Sequence, residues 1–123
     1  MKKTWIATLA ISVALILVLF LIIKPFTTGN VINEELDSFA KCLTNAGLTM
    51  YGTEWCSHCK NQKELFGDSF QYINYIDCDR KSEICTLEGI TGYPTWKINN
   101  QSYPGEQSFS RLSGLTGCNY NDG

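Results

Sequence analysis

The sequence predicts an α/β domain, one sheet with helices packed on it and an antiparallel edge, preceded by a single N-terminal transmembrane helix. Three observations predict it. Residues 6–23 are an uncharged run of 18 in which only Thr8 and Ser12 are polar. The rest of the chain alternates segments of helical and strand period, as a sheet covered by helices requires. Finally, Cys56-Ser-His-Cys59 follows directly on a strand and opens a helix, the setting in which a Cys-x-x-Cys pair works as a dithiol. A chain of 123 residues has room for one domain.

The apolar run spans roughly 27 Å as a helix, close to the hydrocarbon thickness of a bilayer. It is longer than the apolar region of a typical signal peptide, and Lys24-Pro25-Phe26 follows it with no small-x-small cleavage site. An uncleaved anchor over residues 1–24 is therefore the expectation, with a cleaved signal peptide as the alternative. Lys2 and Lys3 precede the run, and Glu34, Glu35 and Asp37 lie beyond it. The positive-inside tendency then keeps the N-terminus cytoplasmic and sends the domain across the membrane. Secretion is the outcome if the segment is cleaved. Residues 25–32 read as a short tether and residues 33–118 as the domain.

Within the domain, Asn33 is expected to cap a helix whose first turn holds Glu34, Glu35 and Asp37. Leu36, Phe39, Ala40 and Leu43 recur at helical spacing, and Gly47 ends the pattern. Residues 48–51 read as a short buried strand, 60–66 as a helix ended by Gly67, and 70–77 as a strand of alternating, β-prone residues. A short helix is expected over 83–88, ended by Gly89. Residues 95–98 and 101–103, joined by Asn99-Asn100, read as a β-hairpin with a tight turn. A last helix over 108–115 places Phe109, Leu112 and Leu115 on one face. Trp96, Tyr72, Phe66 and Phe70 are assigned to the core.

All 12 acidic residues lie in residues 25–123, against 7 basic ones, so that part carries a formal charge of −5. This argues against nucleic-acid binding, which needs a basic footprint. The 10 glycines have no period, heptads are lacking and aromatic residues make up 12%, which excludes collagen-like, coiled-coil and disordered readings. Six cysteines in this length fit a compartment where disulfides persist.

The chemistry is expected at Cys56 and Cys59. A cysteine at a helix N-terminus faces unsatisfied N–H groups and a positive dipole end, which stabilise a thiolate. His58, the sole histidine, lies between the two and can donate a hydrogen bond or charge to the same sulfur, and Lys60 adds a cation. In such settings a thiol pKa of about 8.5 falls to about 3.5–7.5. Stabilising the thiolate makes the disulfide the stronger oxidant. Cys56 is expected to be the exposed, attacked sulfur and Cys59 the buried resolving one, with exchange through a mixed disulfide. Trp55 is expected on an exposed docking surface. The alternatives are half of a zinc site, for which the second Cys-x-x-Cys is missing, a static disulfide, and a solvated His58 without influence. No metal and no cofactor are implied.

Trp55-Cys56-Ser-His-Cys59-Lys60, with Gly92-Tyr93-Pro94-Thr95 some 35 residues on, resembles the two signature segments of the thioredoxin superfamily. The resemblance covers roughly residues 35–117 and implies a thioredoxin-like fold. It also implies a cis Tyr93–Pro94 bond beside the cysteines, presenting the Tyr93 backbone to an extended substrate; a trans proline starting a strand is the alternative. The longer segments 55–67 and 89–96 resemble the thioredoxin-like domains that are fused to, or work with, vitamin K epoxide reductase homologues. That resemblance implies disulfide exchange with the thiols of exported proteins, with electrons handed to a membrane partner of that kind in trans. Two departures stand out. Thioredoxins carry a buried acid six residues before the first cysteine, and this chain has Met50 there, with Glu54 the nearer carboxylate. The first edge strand is also not evident, which implies the smaller four-stranded mixed sheet.

The same group has an extra cysteine pair between the two signature segments, and Cys78 and Cys85 match it. Cys42 with Cys118 then follows by elimination, unless one of them is a free buried thiol. Cys78 and Cys85 read as structural, or as a second electron relay. The expected function is a membrane-anchored extracytoplasmic thiol–disulfide oxidoreductase, acting as oxidase or isomerase in the folding of exported proteins. An extracytoplasmic thiol reductase is the alternative, and an anchored, non-catalytic interaction domain with structural disulfides the second.

Overall fold

A computed structural model describes residues 1–22 and 28–120. Helix α1 (Lys2–Ile22) contains a stretch, Lys3–Ile22, with a mean hydropathy of 2.8 and every side chain exposed, long and apolar enough to cross a membrane. Residues 23–27, including Lys24 and the start of the expected tether, lie outside the described residues.

Helix α2 (Thr28–Asn45) begins at Thr28, so Asn33 lies within it rather than capping it, and residues 28–32 of the expected tether are helical. Then follow β1 (Thr49–Gly52), α3 (Ser57–Phe66), a 3₁₀ helix (Gly67–Tyr72), β2 (Asn74–Asp77), α4 (Ser82–Leu87), β3 (Thr95–Ile98), β4 (Gln101–Pro104) and α5 (Phe109–Thr116). The four strands form one mixed sheet in the order β2-β1-β3-β4, with β1 parallel to β2 and the other pairs antiparallel. A central β1 leading into a Cys-x-x-Cys helix, with the hairpin at one edge, is the thioredoxin-like arrangement in its four-stranded form.

The hairpin turn works because Asn99 and Asn100 adopt φ of 50° and 64°, a left-handed pair that asparagine tolerates and that matches strand twist. The strand expected over 70–77 is half replaced. Residues 67–72 wind into the 3₁₀ helix, taking 70–72 out of the expected strand, because tertiary bonds to α2 override the β-prone composition read over 70–77. Ser69 Oγ donates to Asp37 at 2.6 Å and Thr44 Oγ1 to the Tyr72 carbonyl at 2.7 Å, while the Asn74 N–H donates back to Thr44 Oγ1 at 2.9 Å.

Side chains alternate across the sheet. Met50, Trp96 and Ile98 face α2, α3 and α5, where Phe39, Leu43, Phe66, Phe109 and Leu112 close the main core. Phe66 sits 4.8 Å from Phe109 and 6.1 Å from Trp96, ring to ring. Tyr72 and Phe70 pack on the margin of this cluster, half-buried. Tyr51 faces the other way and packs with Cys78 and Cys85 in a smaller cluster. Cys42 is bonded to Cys118, tying α2 to the segment after α5, and Cys78 to Cys85, tying the end of β2 to α4.

One buried polar residue escapes the periodicity of the sequence. Gln62 Oε1 accepts from Trp96 Nε1 at 3.1 Å and from the Gln107 N–H at 2.6 Å, while its Nε2 donates to the Gln107 carbonyl at 3.1 Å. Gln62→Leu leaves two buried donors and an acceptor without partners, at about 1–3 kcal/mol for each group that water cannot reach. A loss of about 3 kcal/mol in urea unfolding is expected; an unchanged midpoint would show that solvent replaces the glutamine.

Candidate functional site

Strand β1 ends at Gly52, and four residues later Cys56 caps α3: its Sγ accepts the Cys59 N–H at 3.2 Å. The dipole and the first free N–H groups of α3 therefore converge on this sulfur. Cys56 and Cys59 are the two cysteines without a disulfide. Their sulfurs are not equivalent. Cys56 retains 8% exposure, whereas Cys59 has none. Cys56 is thus less open than the sequence reading expects; it belongs to the buried core cluster.

Burial, and then the hydrogen bond with Cys56, push the Cys59 thiol up to about 12. The Thr53 backbone N–H and the Lys63 charge act in the opposite direction. Lys63, not Lys60, is therefore the cation that faces the pair. Its ammonium bonds Glu54 Oε1 at 2.8 Å and lies 4.1 Å above the Tyr75 ring. Lys60 is exposed and belongs to the motif through its backbone, whose N–H donates to the Cys56 carbonyl at 3.1 Å.

His58 departs from the expectation that it serves the Cys56 sulfur. The side chain is exposed, and Nδ1 pairs with Glu106 Oε1 at 2.6 Å. A carboxylate is the stronger partner for an imidazole, and the loop after β4 brings one within reach. Asn61 Nδ2 donates to the same oxygen at 3.2 Å. The His58 hydrogen bond, then that of Asn61, holds the Glu106 carboxyl below its ordinary value. With the folded value depressed, the link is complete above pH about 4.5 and is lost as pH falls below it. A carbon-detected NMR titration of Glu106 is expected to show a midpoint below that of a free glutamate, and His58→Ala to return it upward; equal midpoints would contradict the pairing.

The Tyr93–Pro94 peptide is cis. The Tyr93 ring meets the Trp55 ring edge to face at 6.1 Å. Trp55 is 68% exposed and its Nε1 donates to Asp79 Oδ1 at 3.1 Å, so a large apolar ring is held in place beside the motif. Met50, in the position where the resemblance implies a buried acid, is fully buried and uncharged. Among the described residues, no three His, Cys, Asp or Glu side chains are gathered as a metal ion requires. The sequence reading missed Lys63, Gln62, Glu106 and Tyr75. Only the helical spacing of Cys59 and Lys63 (i, i+4) carried a hint of any of them.

No family model matches the chain. Thiol-disulfide oxidoreductase LTO1 of Arabidopsis thaliana is 37% identical over 89 residues, which cover 65% of this chain and 24% of that protein. Protein disulfide isomerase-like 2-2 of Oryza sativa subsp. japonica is 31% identical over 80 residues, covering 54% and 22%. Protein disulfide-isomerase of Aspergillus niger is 27% identical over 81 residues, covering 58% and 16%. The chain thus spans about a quarter or less of the length of these relatives. Among solved structures, the oxidised thioredoxin of Plasmodium falciparum aligns with a TM-score of 0.40 and 24% identity, covering 64% of this chain and 86% of that one.

Proposed function

We propose that this protein is a membrane-anchored, extracytoplasmic thiol–disulfide oxidoreductase that passes the Cys56–Cys59 disulfide to thiols of exported proteins. One observation carries the reading. Of six cysteines, four are locked in disulfides, and the two left free stand at the start of one helix, one keeping 8% exposure and one with none. That asymmetry is what a two-step exchange needs: an outer sulfur that bonds the substrate and an inner one that leaves with the electron pair. Similarity to an oxidoreductase and to protein disulfide isomerases supports the same chemistry.

The substrate's thiolate attacks Cys56 Sγ, the Cys56–Cys59 bond breaks, and its electron pair leaves on Cys59. A second substrate thiolate then attacks its own sulfur in the mixed disulfide and expels Cys56. The substrate leaves oxidised by two electrons and the pair remains reduced. Trp55 and Tyr93 offer the apolar ledge on which a partly unfolded chain rests. The apolar α1 supports the anchor, and the two remaining disulfides support an oxidising compartment. The reduced pair must be reoxidised, and a vitamin K epoxide reductase-like membrane protein is the partner this reading assigns.

Alkylation of the intact, reduced chain tests it. Cys56 is expected to be modified first across pH 6–9. Cys59, raised to about 12, stays unmodified through that range. Equal rates at the two cysteines would overturn the reading. Equilibration with glutathione gives the direction: a potential near −120 to −180 mV fits an oxidase or isomerase, and one near about −270 mV a reductase.

A further inference from the structure

The sealed sulfur poses a physical problem. When substrate attacks Cys56, the electron pair must depart onto Cys59, in a place that water does not reach and that disfavours charge. A bare thiolate there is a poor leaving group, so a donor held ready beside Cys59 would lower the barrier. Strand β2 brings one. Tyr75 is the ladder partner of Met50 on β1, and its hydroxyl is buried and, among the described residues, has no hydrogen-bond partner. An unpaired buried hydroxyl is destabilising, so its presence calls for a physical reason.

Gly52 shows what lies beside that hydroxyl. A Cβ built on Gly52 would lie 2.9 Å from Cys59 Sγ, 3.2 Å from Tyr75 Cε2 and 3.4 Å from the Tyr75 hydroxyl. The sulfur and the phenol therefore border the same small space, which exists because residue 52 has no side chain. The phenol ring is fixed by the Lys63 ammonium 4.1 Å above it and by an edge contact with Phe70 at 5.6 Å.

We propose that the Tyr75 hydroxyl is the hydrogen-bond donor that receives the Cys59 thiolate when the Cys56–Cys59 bond opens. The inference rests on the exchange reading above. In the step, substrate sulfur bonds to Cys56 Sγ, the disulfide breaks, and the electron pair goes to Cys59 Sγ. The phenol turns its O–H onto that anion and keeps its proton, and Cys59 is neutralised after release through the Cys56 thiol, which shares a hydrogen bond with it and retains some exposure. Burial, followed by the charges of Glu54, Asp77, Cys59 and Asp79, pushes the Tyr75 phenol upward, so it remains a donor at every working pH. Met50 beside it has no proton to give.

Tyr75→Phe is the test, because it keeps the ring and removes only the hydroxyl. Opening of the oxidised full-length protein by dithiothreitol is followed across pH 6–9, together with the redox potential at pH 7 and the melting temperature. A charge-assisted hydrogen bond contributes about 1.5–3 kcal/mol, so opening is expected to slow about 10- to 100-fold across the range. The potential should not move, since Cys59 is a neutral thiol at pH 7 in the reduced protein. Melting should be unchanged or higher, because an unpaired buried hydroxyl has gone. Equal opening rates in variant and wild type would overturn the inference and leave the exchange reading intact. Slower opening accompanied by a lower melting temperature and a shifted potential would also overturn it, assigning Tyr75 a packing role. A wild-type chain that dithiothreitol opens but that never oxidises a protein dithiol would overturn the exchange reading instead.

Discussion

Cys59→Ala is expected to turn a fleeting mixed disulfide into a covalent complex that survives on a non-reducing gel. The magnitude follows from competition between two nucleophiles for the same bond. Intramolecular attack carries an effective concentration of about 10⁵ M or more when well oriented. With a thiol raised to about 12, only about 10⁻⁵ of Cys59 is thiolate at pH 7, which leaves an apparent concentration on the order of 1 M. Millimolar external thiols of ordinary pKa are about 3% thiolate at pH 7 and so supply on the order of 10⁻⁵ M thiolate, and against them the complex should persist about 10⁴- to 10⁵-fold longer without Cys59. The trapped species must run through Cys56. Cys56→Ala, and the double variant, are expected to give no complexes. If the trap also captures a membrane quinone reductase of the vitamin K epoxide reductase type, the proposed partner is supported. Capture of exported proteins with no such enzyme among them would count against that assignment, and a gel without complexes would sink the exchange reading.

Removing the Cys42–Cys118 disulfide is expected to have the largest effect on stability. It closes a separation of 76 residues, from α2 to the segment after α5. In the chain-entropy account a loop of this size is worth about 4 kcal/mol. For a domain of this size each kcal/mol shifts the melting temperature by about 4–8 °C, so Cys42→Ala with Cys118→Ala should lower it by about 20 °C. Cys78→Ala with Cys85→Ala opens a separation of only 7 and should cost about half as much. Both pairs of melting curves come from full-length protein in one detergent. A reversed ranking would show that packing around α4, and not chain entropy, sets the contribution of these bonds.

The sequence reading and the structure agree most closely where local chemistry decides the outcome. Asn99-Asn100 forms a tight turn because asparagine accepts a left-handed backbone. The last helix, expected over 108–115, forms over Phe109–Thr116, where Ser108 caps it by accepting the Arg111 N–H at 3.2 Å and Gly117 ends it in a left-handed conformation. Agreement fails where a distant element competes. Residues 70–72 fall in the strand expected over 70–77, yet Asp37 and Thr44 on α2 hold 67–72 in a 3₁₀ helix. His58 is next to Cys59 in the chain, yet Glu106, 48 residues away, takes its ring. Lys60 is adjacent to the motif, but Lys63, one turn further along α3, is the residue whose charge reaches Cys59.

The order of amino acids was enough to place a dithiol after a buried strand at the start of a helix, to mark an apolar stretch of membrane length ahead of it, and to exclude a basic binding surface. Those features depend on period, spacing and charge, which are properties of neighbours along the chain. How little of Cys56 stays exposed, which cation faces Cys59, and which hydroxyl borders that sulfur through the gap at Gly52 were decided by tertiary packing. They depend on burial and on contacts between β1, β2 and α3, and a buried thiol's charge is governed by what surrounds it in space, whatever its distance in sequence.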